Sequence, residues 1–217
     1  MVVARGTWIA VVGPIGVGKT TLAALVARRT GAVLVPERFG ENPFLSRFYQ
    51  PDGIPRWGFH TEVSFLTQRV DQVREIRTHL AQGRSVVTDF APQQNLIFAR
   101  ITVDPLEFSL YQHLYDGLFE SLPRPDRLIC LDADLRTILA RIRRRGRGIE
   151  TGISTDYLRS LRMGYQSWRD QAPVPTLWID TSRLPIPSDL VARAAALDAV
   201  MLSLEPDTRR SLFGASA

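Results

Sequence analysis

Five short apolar runs recur along the chain, each bounded by polar or turn-forming residues. They are four to six residues long and rich in Val, Ile and Leu, which is typical of strands buried inside a sheet. Segments with helical spacing separate them, and this alternation predicts a parallel sheet covered by helices, an α/β fold. The runs are TWIAVV (7–12), AVLV (32–35), SVVTD (85–89), RLICLD (127–132) and TLWID (176–180).

The longest helical pattern runs from about Arg56 to Gln82, and Gly83 ends it. Its apolar positions recur at steps of three and four residues, at Val63, Leu66, Val70, Val73, Ile76 and Leu80. Other helices are predicted over about 18–29, 92–102, 105–121, 134–144, 154–170 and 187–203. We expect a single domain over residues 1–217, with a loosely held tail at about 205–217.

The composition changes this picture little. The formal net charge is +5, but the basic residues are spread along the chain apart from RIRRRGR at 141–147, so we expect no nucleic-acid partner. The apolar start MVVARGTWIAVV is too short to span a membrane and has no small-residue cleavage site, so we expect a cytoplasmic protein without a membrane partner. Cys130, in RLICLD, is predicted to be a buried strand residue.

A glycine-rich loop follows the first apolar run. GPIGVGKT matches the pattern G-x-x-x-x-G-K-[ST], with a predicted strand before it and a helix after it. The glycines let successive N–H groups face an anion, Lys19 suits the β- and γ-phosphates, and the Thr20 hydroxyl suits Mg²⁺. The sequence therefore predicts binding of ATP or GTP by Gly13, Pro14, Ile15, Gly16, Val17, Gly18, Lys19, Thr20 and Thr21.

The γ-phosphate held by such a loop goes either to water or to a bound acceptor. A GTPase would need the base-reading sequence N-K-x-D, and Lys19 is the only lysine of the chain. RRRGRG, after the fourth apolar run, could close over the phosphates as a mobile lid that excludes water. These features favour a small-molecule kinase with an arginine-rich lid at about 143–152.

Seven segments follow one another in a specific order: GPIGVGKTT, PERFGENPFLSRFY, RWGFHTEVSFLTQR, VVTDF, LIFAR, PRPDRLICLD and RIRRRGRGIETGISTDYLRSL. Over about residues 7–182 this series resembles the deoxynucleoside kinase family, and within it the bacterial deoxyguanosine kinase branch. The resemblance implies a P-loop kinase fold, a five-stranded parallel sheet flanked by helices. It also implies ATP as phosphate donor, Mg²⁺ as cofactor and a homodimer. The dimer contacts are expected on the long helix and on the helix near 105–121, whose apolar faces exceed what one core needs.

The same resemblance assigns the transfer chemistry. Glu37, in PER, matches the glutamate that takes the proton from the sugar 5′-hydroxyl, and Asp89 matches the acid that holds Mg²⁺ together with Thr20. Better-known members have an arginine directly after that acid, whereas Phe90 stands here. Arg38 is one candidate for the missing cation.

Further roles follow from the resemblance for the sugar, the base and the phosphates. Tyr49 and Glu150 match the pair that binds the sugar 3′-hydroxyl, and Phe98 matches the aromatic residue that stacks on the base. Arg143 and Arg144 are interpreted as solvated. The phosphate-contacting positions of the lid correspond to Arg141, Arg145 and Arg147.

Glu62 and Arg69 lie seven residues apart, two helical turns along one face of the long helix. An ionised carboxylate only accepts hydrogen bonds, and guanine offers N1–H and the 2-amino group side by side, with O6 available to an arginine. Adenine and cytosine would instead turn a lone pair toward the carboxylate. The pair therefore predicts deoxyguanosine as substrate, an exposed surface pair being the alternative.

Two other functions remain open on the sequence. The first is a deoxyadenosine or deoxycytidine kinase of the same family. The second is a non-catalytic nucleotide-binding sensor, which Phe90 would suit because it replaces the expected arginine.

Overall fold

The sheet is the centre of the molecule. The computed structural model describes residues 6–150, 152–169 and 174–204, so the tail predicted at 205–217 lies outside the described residues. All five predicted strands are confirmed as β1 (Trp8–Val12), β2 (Val33–Val35), β3 (Val86–Thr88), β4 (Arg127–Asp132) and β5 (Thr176–Asp180). They are parallel, in the order β2-β3-β1-β4-β5.

The seven predicted helices are confirmed to within a few residues. The described part of the chain also contains one short helix that was not predicted, α2, and two 3₁₀ turns at Phe39–Glu41 and Gly148–Glu150. A segment of three or four residues has too little length for a helical period to be visible. The helices are α1 (Lys19–Thr30), α2 (Leu45–Phe48), α3 (Gly53–Ala81), α4 (Gln94–Thr102), α5 (Pro105–Phe119), α6 (Leu135–Arg145), α7 (Thr155–Arg169) and α8 (Leu190–Leu204).

Two helix starts differ from the predicted ones for identifiable reasons. Helix α3 begins at Gly53, before the predicted Arg56, because Pro55 falls in its first turn, where the missing N–H breaks no helical bond. Helix α8 begins at Leu190 rather than 187, because the Asp189 carboxylate accepts hydrogen bonds from the N–H groups of Val191 and Ala192 at 2.7 and 3.1 Å.

Helices cover both faces of the sheet. On one face α1 and α8 pack against strand residues that include Val11 and Ile129. On the other face α3 and α5 pack around Trp8, whose indole Nε1 donates a hydrogen bond to the Thr88 hydroxyl at 3.0 Å inside the core. Among the described residues, no helix combines the length and the apolar character needed to cross a membrane.

The carboxyl ends of the strands meet at one edge of the sheet because all the strands are parallel. The chain leaves β1 there in the glycine-rich loop, and Gly13 has a φ of 144° and Gly18 a φ of 107°. A Cβ atom on Gly13 would lie 2.2 Å from the carbonyl oxygen of Leu131, so only glycine fits. The segments after β2 and β3 bring Glu37 and Asp89 to the same edge, and this edge holds the candidate site.

Candidate active site

A cleft opens at the carboxyl edge of the sheet. Its wall combines apolar and aromatic side chains with a few charged ones, which is typical of a small-molecule site. Strand ends, helices α2, α3 and α4 and the lid segment all contribute side chains to its wall. Six residues predicted from the sequence to bind the substrate line it together, whereas Asp89 does not: Glu37, Tyr49, Glu62, Arg69, Phe98 and Glu150.

A second cavity adjoins the cleft and is formed by the phosphate loop and the arginine-rich segment. Lys19, Arg145 and Arg147 line both cavities, so the two spaces meet at the end of the phosphate loop. Arg144, which was interpreted from the sequence as solvated like Arg143, lines the second cavity together with Arg141. Only the register of α6 against the phosphate loop distinguishes these two arginines.

The phosphate loop binds its own lysine in this structure. The Lys19 ammonium donates hydrogen bonds to the carbonyl oxygens of Gly13 and Pro14 at 2.9 and 3.0 Å. Burial lowers the pKa of Lys19, while the carboxylates of Glu37 and Asp89 act in the opposite direction. The ammonium is therefore held at the floor of the loop.

Asp89 connects the segments that follow β1, β2 and β3. Its Oδ2 accepts a hydrogen bond from the Thr20 hydroxyl at 2.6 Å, and its Oδ1 accepts one from the backbone N–H of Glu37 at 2.7 Å. A carboxylate and a hydroxyl at this separation are hard oxygen ligands of the kind that Mg²⁺ prefers. Asp89 does not line the cleft itself but supports its floor.

Arg69 lies against Glu37. Its Nη2 donates to Glu37 Oε1 at 2.5 Å, and its Nη1 donates to Gln72 Oε1 at 2.9 Å. The guanidinium carbon lies 3.7 Å from the centre of the Phe90 ring, and the Arg69 side chain is only 2% exposed. Phe90, which follows β3 at the position where the family resemblance implied an arginine, thus supports an arginine of helix α3.

Neighbouring side chains hold Arg69 and Glu37 in this arrangement. Gln72 is held in turn by a hydrogen bond from its Nε2 to the carbonyl oxygen of Pro36 at 2.7 Å, one residue before Glu37. Arg38, the candidate from the sequence, bonds instead to Glu75 at 2.7 Å on the surface. The cation next to Glu37 therefore comes from the long helix, which sequence neighbours alone could not indicate.

Glu62 is buried in the wall of the cleft and is only 2% exposed. Its Oε1 lies 3.2 Å from the Thr102 hydroxyl, and that hydroxyl donates to the carbonyl oxygen of Phe98 at 2.9 Å. Burial raises the pKa of Glu62 to about 8, and the charge of Glu37 contributes to the rise. An exposed surface pair with Arg69 is thus excluded, and Arg69 contacts Glu37 rather than Glu62.

We expect replacement of Glu62 by glutamine to stabilise the fold in alkaline solution. From the ordinary value of 4.5 up to about 8, the carboxyl ionises in the unfolded chain but stays protonated in the fold, so the native protein loses stability as the pH rises through this window. The variant lacks this loss. We expect the unfolding free energy of the variant, minus that of the native protein, to increase by on the order of 4 kcal/mol from about pH 4 to about pH 9. Urea unfolding at the two pH values measures this difference. An equal difference at both pH values would contradict the burial of an ionisable Glu62.

Two arginines of the arginine-rich segment 141–147 are bound to a carboxylate. Glu150, only 8% exposed, accepts hydrogen bonds from Arg145 Nε at 3.0 Å and from Arg145 Nη2 at 2.6 Å, and Arg147 lies 3.4 Å away. The Arg147 guanidinium carbon also stands 4.3 Å from the centre of the Phe39 ring. Glu150 therefore connects the arginine-rich segment to the cleft that it helps to line.

Tyr49 and Phe98 complete the cleft. Tyr49 packs in an aromatic group with Phe48 and Tyr157, and burial raises its pKa above the ordinary value. A Cβ atom on Gly152 would lie 2.0 Å from the Tyr49 carbonyl oxygen, so the chain after the lid passes directly over this residue. Phe98 meets Tyr165 edge to face at 6.3 Å between ring centres.

Arg141 is anchored away from the substrate cleft. Its Nη1 and Nη2 donate to the hydroxyl and carbonyl oxygens of Thr181 at 2.8 and 2.6 Å, and Nη1 lies 3.3 Å from the carbonyl oxygen of Val17 in the phosphate loop. Thr181 follows β5. Arg141 thus ties the lid helix to the loop and lines only the second cavity.

Comparisons with known proteins identify the family. The model of the deoxynucleoside kinase family matches residues 9–201. The chain is 39% identical over 160 residues to a deoxyguanosine kinase of Bacillus subtilis, covering 73% of this chain and 76% of that protein. It is 34% identical over 172 residues to a deoxyadenosine/deoxycytidine kinase of the same organism, covering 76% of this chain and 77% of that protein.

Solved structures show the same fold. A deoxyadenosine kinase from M. mycoides with bound dATP matches with a TM-score of 0.76 at 22% identity, covering 91% of this chain and 98% of that chain. The phosphate loop, the strand order and the matched segments thus all indicate the same family. The chain belongs to the deoxynucleoside kinase family.

Proposed function

We propose that the protein transfers the γ-phosphate of ATP to the 5′-hydroxyl of deoxyguanosine and so forms dGMP for purine salvage. The observation that carries this proposal is a buried carboxyl group, Glu62, in the wall of the cleft beside the phosphate loop. Guanine is the base whose N1–H and 2-amino group can both be accepted by one carboxylate. The deoxyguanosine kinase among the relatives of known activity supports the same choice.

Glu37 is the base in this proposal. It lies on the cleft wall between the substrate space and the phosphate loop. Arg69 and Gln94 both donate hydrogen bonds to its Oε1. Its second oxygen is then left to accept the proton of the 5′-hydroxyl. Arg69 acts as a positioning residue, because its fixed guanidinium holds the carboxylate in one orientation.

ATP would occupy the second cavity, with Lys19 on the β- and γ-phosphates. Among the described residues no group of three His, Cys, Asp or Glu side chains could hold a metal ion. Thr20 and Asp89 would therefore supply two oxygen ligands to Mg²⁺, with phosphates and water as the rest, which is the usual division for this ion. When bound, the ion neutralises charge on the transferred phosphate.

The lid would respond to the substrate. Tyr49 and Glu150 bind the 3′-hydroxyl in this proposal, so a nucleoside competes for the same carboxylate that now holds Arg145. Arg145 and Arg147, which line both cavities, are then turned toward the phosphates. Phe98 stacks on the base.

The test is the release of ADP with each of the four deoxynucleosides in turn. At about pH 9, where most of the Glu62 carboxyl is ionised, deoxyguanosine should give the highest kcat/KM, and mass spectrometry should identify dGMP. A nucleotide-binding sensor would bind ATP and deoxyguanosine without turnover. A higher kcat/KM for deoxyadenosine or deoxycytidine would instead favour the second candidate, which rests on the similarity to the deoxyadenosine/deoxycytidine kinase.

We also propose a homodimer built on α5. This helix exposes a row of leucines at four-residue steps, Leu106, Leu110, Leu114 and Leu118, exposed by 83%, 53%, 40% and 38%. Such a row on one face of a helix is typical of a surface that is covered in an assembly. Its neighbour α3 packs beside α5 in the core and can share the contact.

Replacing both Leu110 and Leu114 by glutamate should shift the protein from dimer to monomer, because four charges would face each other across a two-fold axis. Sedimentation equilibrium measures the mass directly. Leu202→Glu is the matched control, since Leu202 is 70% exposed on α8. A dimer that persists in the double variant, or one that the control disrupts, would place the interface elsewhere.

A further inference from the structure

We propose that Glu62 selects the base by its own protonation state: the ionised form binds guanine, and the neutral form binds adenine or cytosine. This inference rests on the proposed function, because it requires a nucleoside base next to Glu62. It goes further in that one residue would give the enzyme two substrate classes. The pH of the solution, as well as the shape of the cleft, would then determine which substrate class is bound.

Glu62 has no cation bonded to it among the described residues. It is 2% exposed, so water does not replace that missing partner. The cations that line the cleft are engaged elsewhere: Arg69 with Glu37, Arg145 and Arg147 with Glu150, and Lys19 with the carbonyl oxygens of its own loop. A buried carboxylate without a compensating charge takes up a proton rather than remaining ionised.

The contact with Thr102 compensates the carboxylate only in part. A threonine hydroxyl has one hydrogen, and here it has two oxygen acceptors, the Phe98 carbonyl at 2.9 Å and Glu62 Oε1 at 3.2 Å. Its hydrogen bond lowers the pKa of Glu62, but burial raises this pKa by more. One shared hydroxyl hydrogen therefore does not replace the missing cation.

Glu62 is the group in this part of the cleft whose protonation state changes. Burial raises the pKa of each nearby tyrosine, so these side chains remain neutral at moderate pH. Helix α4 contributes Thr102 and Phe98, which do not titrate. The titratable and charged groups that face Glu62 are Glu37 after β2, Tyr49 after α2, Arg69 on α3, Tyr111 on α5 and Tyr157 on α7, with Arg145, Arg147 and Glu150 of the lid across the cleft.

The two forms of the carboxyl group complement different bases. A neutral acid offers one donor and one acceptor, as a glutamine does, and adenine presents an acceptor at N1 beside a donor at its 6-amino group. Cytosine presents the same pair at N3 and its 4-amino group. The N1–H and 2-amino edge of guanine presents two donors, which only the ionised form accepts together. Deoxyguanosine binding to the neutral enzyme thus releases the Glu62 proton to solvent.

The test is a competition between deoxyguanosine and deoxyadenosine in one reaction, from about pH 6 to about pH 9. In the ratio of their kcat/KM values, the pH dependence of every step that the two substrates share cancels, including the steps of Glu37 and the lid. We expect this ratio to rise with pH, by about tenfold for each unit. In Glu62→Gln the ratio should not change with pH. Glu75→Gln, an exposed glutamate on the same helix, should keep the rise of the native enzyme.

A calorimetric measurement on the native enzyme covers the case in which Glu62→Gln does not fold. Binding of deoxyguanosine, measured at about pH 7 in two buffers of different ionisation enthalpy, should release close to one proton, and binding of deoxyadenosine should release none. A ratio that stays constant with pH in the native enzyme, or equal proton release for both substrates, overturns this inference alone. If no deoxynucleoside is phosphorylated, the proposed function fails first.

Discussion

Replacing Glu37 by glutamine is expected to lower kcat for deoxyguanosine by about a hundredfold to ten-thousandfold. The amide has nearly the same shape and can still accept a hydrogen bond from Arg69, but it cannot take up the proton of the 5′-hydroxyl. The KM for ATP should change little, because the second cavity does not include residue 37. Steady-state kinetics with both substrates varied separates the two constants.

Glu41→Gln is the matched control, because Glu41 is an exposed carboxylate only four residues further along the same segment. Its kcat should equal that of the native enzyme. If Glu37→Gln retained kcat within a factor of about three, Glu37 would not be the base, and the adjacent carboxylates of the cleft would have to be tested next.

Replacing Arg69 by methionine should have the second largest effect, on both activity and stability. The change leaves Glu37 without its ion-pair partner and Gln72 without one of its hydrogen bonds. Because the Glu37 side chain is 23% exposed, loss of its charged hydrogen bond should cost about 1.5 to 3 kcal/mol of unfolding free energy. Since the carboxylate is then free to rotate, kcat should fall by about a hundredfold while the KM for ATP stays the same.

Two companion variants separate positioning from stability. Arg69→Lys keeps the charge but not the planar group that stacks on Phe90, so part of kcat should return. Phe90→Leu keeps Arg69 but removes its aromatic support, and should lower kcat by about tenfold. Thermal melting is followed in parallel. If kcat per folded molecule were unchanged in Arg69→Met, Arg69 would be a structural residue only.

Much of the fold could be predicted from the sequence because its signals are local. The strand RLICLD and the loop GPIGVGKT carry their own hydrophobic pattern and glycine spacing, and both lie where they were predicted. Helix ends were less accurate, since a cap such as Asp189 depends on one side chain finding two backbone N–H groups. Short turns such as Phe39–Glu41 carry no period at all.

The residues that line the cleft could also be predicted, but the contacts among them could not. The sequence placed Glu62 and Arg69 on one helical face, and both do line the cleft. Whether Arg69 turns to Glu62 or to Glu37 depends on how α3 packs over the end of β2, and Phe90 decides it from a third element. Contacts of this kind involve residues far apart in the chain, so spacing along one helix does not contain them.

The position of Lys19 has a consequence for labelling. As the only lysine in the sequence, it gives the chain a single side-chain amine, and that amine lies in the phosphate loop. An acylating reagent can therefore modify just one side-chain amine, at the place where the triphosphate would sit. The yield of the modified peptide would report directly how many molecules have that place open, with no engineered probe.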